Sequence, residues 1–167
     1  DLFSLPLPRK YGGMDLPQSP HFIGLAFLAR ACVSTSTQLA FFSAIGDMLA
    51  RFGSKEVKER LIPKIASGEI SGSMCLTEPG CGSDVGALKT TATPSDDGFY
   101  LLNGSKCFIT NGGGGLGLVL ARIKGDPEGT DGISMFLTEQ NHEKKDGLNF
   151  IVTKNENKMG MHGSFTT

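Results

Sequence analysis

Residues 61–76, LIPKIASGEISGSMCL, hold the change of pattern that decides the fold. Up to Ala66 the apolar residues recur at three- and four-residue spacing, the period of an amphipathic helix. Past Gly68 the chain takes on strand length and strand composition. Glycine follows the same divide: of 23 glycines, 5 fall in residues 1–66 and 18 in 67–167. Helix interiors disfavour glycine and tight strand connections need it. A helical part over residues 1–69 and a strand part over 70–167 are therefore expected.

Toward the N-terminus, Leu5-Pro6-Leu7-Pro8 and Tyr11-Gly12-Gly13 predict an irregular start. Helices are predicted over 19–31 and 35–52, with Leu39, Phe42, Ile45, Leu49 and Phe52 as one stripe. Gly53 is a stop and Ser54 an N-cap for a third helix. Pro63 is expected to begin a following turn, which Gly68 ends. Toward the C-terminus, strands are predicted over 70–76, 88–93, 99–102, 106–110, 118–123 and 133–137. Asn103-Gly104 predicts a two-residue hairpin between two of them. The expected class is α+β, a helical domain followed by an antiparallel barrel or sandwich.

Composition removes several functions. With 16 Lys+Arg against 17 Asp+Glu, the chain has no electrostatic footprint for nucleic acid or an anionic membrane. No apolar run approaches the ~20 residues of a membrane span, and no secretory leader is visible. Cys32, Cys75, Cys81 and Cys107 form no CxxC and lie far from the three histidines, so neither a metal site nor a disulfide framework is expected. Reduced thiols fit a bacterial cytoplasm or a mitochondrial matrix. The chain starts at Asp1 and stops in mid-pattern at Thr167, as a fragment would.

Two familiar strings fail on context. Residues 112–117 satisfy G-x-G-x-x-G, but a dinucleotide site needs a helix to follow, and Leu118–Ile123 reads as a strand. No serine sits in a G-x-S-x-G elbow. Two other segments carry chemistry. In Leu76-Thr77-Glu78-Pro79-Gly80-Cys81-Gly82-Ser83-Asp84, Pro79 holds Glu78 extended and Gly80 can supply a positive φ. The amides around Gly82 and Ser83 can form an anion-binding nest, provided the Glu78 and Asp84 carboxylates point away. The same loop also reads as a plain strand-to-strand turn. In Gly104-Ser105-Lys106-Cys107-Phe108-Ile109-Thr110-Asn111, strand alternation puts Phe108 and Thr110 on one face and Ile109 on the other. An aromatic and a hydroxyl so placed can shield a planar ring and bond its edge, or be a buried Phe beside a surface Thr.

Together, Met74–Asp84 and Gly104–Gly112 resemble two signature segments of the acyl-CoA dehydrogenase family, in order and separation. Tyr11-Gly12-Gly13, residues 52–56 and residues 158–164 are similar to further landmarks. The resemblance implies part of an N-terminal helical domain, most of a middle β-barrel, and a C-terminal four-helix domain absent from this chain. It implies FAD as cofactor and dehydrogenation of an acyl-CoA thioester to the trans-2-enoyl-CoA, as in fatty-acid β-oxidation. Met74, Leu76, Thr77, Gly82, Ser83, Phe108, Ile109 and Thr110 would line FAD. Leu76 and Thr77 would meet the flavin pyrimidine side, Gly82 and Ser83 the pyrophosphate, Phe108 one flavin face and Thr110 the region of N5. Ser83 would also touch the CoA substrate. Phe108 stands where many members have Trp, Cys81 replaces a small or amide residue, and Phe165 departs from the commoner residue after Gly-Ser. The family's base is a glutamate of the C-terminal domain, so no glutamate here takes that role and this chain alone is expected to be inactive. Implied partners are an electron-transfer flavoprotein or similar acceptor and further copies of the intact chain. An acyl-CoA oxidase or flavin monooxygenase on the same scaffold, or a non-catalytic binding module, are the alternatives.

Overall fold

The computed structural model describes residues 2–140 and 150–161. Three helices come first, α1 (Gln18–Ala31), α2 (Val33–Phe52) and α3 (Lys55–Ala66). Five strands follow: β1 (Ser71–Cys75), β2 (Thr91–Pro94), β3 (Tyr100–Asn103), β4 (Gly115–Ile123) and β5 (Ile133–Glu139). The chain divides into two compact units, residues 1–72 with 157–165 and residues 73–156 with 166–167. Phe165 and residues 162–164 of the landmark segment lie outside the described residues.

In the first unit, α2 packs against both α1 and α3. Leu25, Ile45, Leu49, Leu61, Ile62 and Ile65 are buried between them. Each such side chain contributes about 1.5–3 kcal/mol of transfer free energy. Of the expected stripe, Ile45 and Leu49 are buried, while Phe52 is exposed at the last residue of α2. Ser54 caps α3, its hydroxyl accepting from the Val57 amide at 3.2 Å. Pro63 does not begin a turn; it lies inside α3. A proline costs a helix one N–H bond and crowds the carbonyl four residues back. Here both Pro63 and Glu59 lie on the exposed face, so the proline falls on the solvent side while Leu61, Ile62, Ile65 and Ala66 keep their burial.

The proline-rich start is built into this core. Leu7 is fully buried, and a Cβ on Gly46 of α2 would come within 2.6 Å of its Cδ2. Main-chain bonds from Asp15 to the Leu7 carbonyl (2.8 Å) and from Leu16 to that of Leu5 (2.9 Å) close the segment into a loop. His21, also buried, places Nδ1 3.1 Å from the Leu2 carbonyl and Nε2 2.6 Å from the Ser43 hydroxyl. The imidazole therefore ties the chain start to α1 and α2.

The second unit is organised on β4, the longest strand. The sheet runs β1-β4-β2-β3, with β5 also paired to β4. β4 and β5 pair antiparallel from Leu116↔Glu139 to Arg122↔Ile133. β2 meets β4 in parallel at Thr91↔Arg122 and Ala92↔Ile123, so the sheet is mixed rather than purely antiparallel. The hairpin is also not where Asn103-Gly104 predicted it. β2 and β3 form the hairpin, and the chain reverses through Asp96-Asp97-Gly98, with Ser95 N donating to Phe99 O at 2.9 Å and Gly98 at φ +82°. Gly104 serves a close approach instead: a Cβ there would stand 2.7 Å from that of Thr90. Residues 106–110, expected as a strand, run as an irregular segment. Phe108 has φ +57°, a left-handed conformation that ends any strand alternation.

Arg122, near the end of β4, holds three carbonyls rather than a carboxylate. Its guanidinium donates to Gly86 O and Gly129 O, both at 2.9 Å, and to Pro127 O.

Candidate functional site

The loop after β1 closes on itself first. Glu78 N donates to Cys81 O and Cys81 N to Glu78 O, both at 3.0 Å, with Gly80 at φ +84° making the turn. The Cys81 thiol donates to Asp84 O at 2.8 Å, continuing the curl. Among the described residues no acceptor takes the amides of Gly82, Ser83 and Asp84, nor the Ser83 hydroxyl. Gly82 and Ser83 are exposed. Three successive free amides beside a hydroxyl make a ready site for an oxyanion.

Glu78 points away from that nest and into the protein, where it is 5% exposed. One oxygen accepts from Thr90 N (3.0 Å), Thr90 Oγ1 (2.5 Å) and Lys106 Nζ (2.7 Å), the other from Lys89 N (2.7 Å). Burial alone would push this carboxyl up. The Lys106 ammonium, the Thr90 hydroxyl and the two amides outweigh it and hold the pKa at about 2, against an ordinary 4.5. The sign of the nest is therefore undisturbed by Glu78.

The same lysine joins the two candidate segments. Lys106 Nζ also donates to Leu76 O at 3.0 Å, and the neighbouring Cys107 N donates to Thr77 O at 2.9 Å. Residues 76–78 and 106–107, some thirty positions apart, are thus stitched side by side. Met74, Gly82, Ser83 and Phe108 are exposed there, and Leu76, Thr77 and Thr110 are half-buried. The Phe108 ring is 64% exposed on a left-handed residue, a conformation costing a bulky side chain roughly 1–3 kcal/mol. Ile109 is buried in a cluster with Cys75 and Val119, so it has only main chain to offer a ligand. The Thr110 hydroxyl has no partner among the described residues. A free hydroxyl, an exposed aromatic face and a nest of free amides form a donor set that fits a flavin nucleotide.

Local sequence pattern assigns no role in the site to Lys106, Lys89 or Thr90. The signal was Glu78 itself: a carboxylate in a loop that must bury needs a cation and donors from elsewhere. The Gly112–Gly115 run makes a turn into β4, with Gly114 N donating to Asn111 O at 2.9 Å, and no helix follows it.

Residues 73–167 match the acyl-CoA dehydrogenase middle domain, and residues 1–69 match the acyl-CoA dehydrogenase N-terminal domain. The chain belongs to the acyl-CoA dehydrogenase family. It is 37% identical over 167 residues to an acyl-CoA dehydrogenase of Bacillus subtilis, covering 99% of this chain and 42% of that protein. A solved butyryl-CoA dehydrogenase from Megasphaera elsdenii superposes with a TM-score of 0.83 at 32% identity, over 99% of this chain and 43% of the other. An acyl-CoA dehydrogenase from Bacillus anthracis, solved in complex with FAD, gives a TM-score of 0.83 at 31% identity, over 99% and 27%. The chain thus spans about two-fifths of the length of the B. subtilis and M. elsdenii members of the family. Among the described residues no helix is long and apolar enough to cross a membrane, and no cluster of His, Cys, Asp or Glu could hold a metal ion.

Proposed function

We propose that this chain forms the helical and flavin-binding part of an FAD-dependent enzyme that dehydrogenates an acyl-CoA thioester to the trans-2-enoyl-CoA. What supports this reading is the joining of the two segments through Lys106 and Cys107, which brings residues 76–77 beside 106–107 in segments that also carry free amides, a free hydroxyl and an exposed ring. When bound, FAD would supply the acceptor for the hydride leaving the β-carbon of the thioester. Met74, Leu76, Thr77, Gly82, Ser83, Phe108, Ile109 and Thr110 would hold it. The amides of Gly82 and Ser83 would neutralise the pyrophosphate, Phe108 would cover one face of the ring, and Thr110 would donate near N5. Ser83 would in addition touch the CoA moiety. Fixed donors at these points favour the form in which negative charge has built up, because they need no reorganisation.

The chain's own carboxylates do not supply the base. Glu78 points away from the nest, and four donors with a pKa near 2 leave it neither free nor basic. A glutamate from another part of the full-length protein would take the α-proton. An electron-transfer flavoprotein is the proposed acceptor, and the intact protein is proposed to be a homo-oligomer.

The test is to purify the protein encoded by the full open reading frame, record its flavin spectrum, and mix it anaerobically with a panel of acyl-CoAs. Bleaching of the flavin band by an acyl-CoA is expected. A colourless protein that takes up no FAD would overturn the reading, and rapid re-oxidation by oxygen in place of an electron-transfer flavoprotein would turn it into an oxidase.

A further inference from the structure

We infer that Lys106 is a positioning residue for the flavin, acting through the Leu76–Thr77 peptide to strengthen one donor aimed at the cofactor. The inference rests on the flavin reading above and adds a role that the residues proposed to line the flavin do not have.

Lys106 is 11% exposed and Glu78 5%, so their ion pair is a buried one. Such a pair does little for net stability, because desolvating two charges consumes most of the attraction. Glu78 does not lack partners without it: Lys89 N, Thr90 N and the Thr90 hydroxyl already serve both of its oxygens. What the lysine adds is a positive charge on Leu76 O, 3.0 Å from Nζ.

That carbonyl belongs to the peptide whose nitrogen is Thr77. An ammonium on the oxygen draws electron density from the nitrogen and makes its N–H a stronger donor, an effect water does not screen in a buried setting. The Thr77 amide has no partner among the described residues, while the Thr77 carbonyl is fixed by Cys107 N at 2.9 Å. The Leu76–Thr77 peptide is therefore held at its oxygen and the following peptide at the Thr77 carbonyl, with the Thr77 N–H between them left for a ligand. A flavin is more electron-rich in its pyrimidine ring when reduced, so a strengthened donor there binds the reduced form more tightly than the oxidised one. Lys106 would raise the reduction potential of the cofactor without touching it.

The experiment uses the full-length flavoprotein in four forms: wild type, Lys106→Met, the double variant Glu78→Gln/Lys106→Met, and Thr90→Val. The double variant removes both buried charges together, which proteins tolerate far better than losing one. FAD affinity is read by flavin fluorescence, and the midpoint potential by equilibration with a reference dye. Both Lys106 variants are expected to shift the ratio of reduced to oxidised binding by about tenfold, a potential ~30 mV more negative for a two-electron couple. Thr90→Val removes a donor to Glu78 but leaves Lys106 on Leu76 O, so it is expected to lower the melting temperature with the potential unchanged. A double variant that folds with the wild-type potential would reduce Lys106 to a prop and overturn the inference. A wild type that takes up no FAD would instead overturn the flavin reading itself.

Discussion

The helical unit and the loop site of the strand unit are held by different forces. Around Leu7, Ile45, Leu49 and Ile65 the contacts are apolar, non-directional and indifferent to pH. Around Glu78 they are four hydrogen bonds from two separate stretches of chain, residues 89–90 and Lys106, each with a required direction. An apolar core absorbs small errors of position by repacking. A carboxylate hub does not, since losing one partner leaves the others buried and unpaired. Geometry that must be exact for a ligand is thus set by the polar hub, while bulk stability sits with the apolar helices.

The sharpest way to break this contrast is Glu78→Ala, which strands the Lys106 ammonium in a site 11% exposed. A loss of about 3–5 kcal/mol is expected in denaturant unfolding of the strand unit. Loss of FAD affinity should accompany it. An effect below ~1 kcal/mol would show that water, not Glu78, satisfies these donors.

Leu7→Ala should cost the helical unit about 2–5 kcal/mol by opening a cavity against Gly46. The cost should be the same at pH 4 and pH 7. A pH-dependent penalty would mean that the segment is held by charge rather than by packing.

Acid titration comes next. The folded pKa of Glu78, about 2, lies below the ordinary 4.5, so the native state binds this proton less readily than the unfolded chain. Its contribution is complete above about pH 5 and is lost as pH falls through the folded value; the separation corresponds to at most about 3 kcal/mol. Hydrogen exchange of the Lys89 and Thr90 amides should accelerate over that window in wild type, and Glu78→Gln should flatten the profile.

Thr110→Val is the smallest test. Removing one hydroxyl donor should weaken FAD binding by ~0.5–1.5 kcal/mol, read by fluorescence titration of the full-length protein. Unchanged affinity and spectrum would take Thr110 out of the site.

Local patterns carried the helices and five of the six strands, because hydrophobic period and turn residues act within a few positions. They failed where a distant partner decides. Glu78 looked like an obstacle to an anion until Lys106, 28 residues on, showed where its charge goes. Asn103-Gly104 looked like a hairpin because nothing nearby signals that Thr90 will crowd against Gly104. Phe108 alternates with Ile109 in exposure as a strand would, but its positive φ is invisible in a bulky aromatic. Leu7 between two prolines gave no period at all, and it is buried where Gly46 leaves a hollow in α2.

Arg122 fastens Gly86, three residues past Ser83, to Pro127 and Gly129 in the connection between β4 and β5. Because its three acceptors are main-chain carbonyls, the clamp asks for no particular partner side chain, but a Cβ on Gly86 would come within 3.2 Å of Gly129 Cα and Gly129 sits at φ +79°, so both glycines are held by the close approach and the backbone. Length is another matter. One residue inserted or deleted between Arg122 and Gly129 moves the carbonyls off the guanidinium and frees the turn behind Ser83. The residue count of the connection, and its glycines at 125 and 129 with positive φ, are therefore constrained, the count from a site forty positions earlier in the chain.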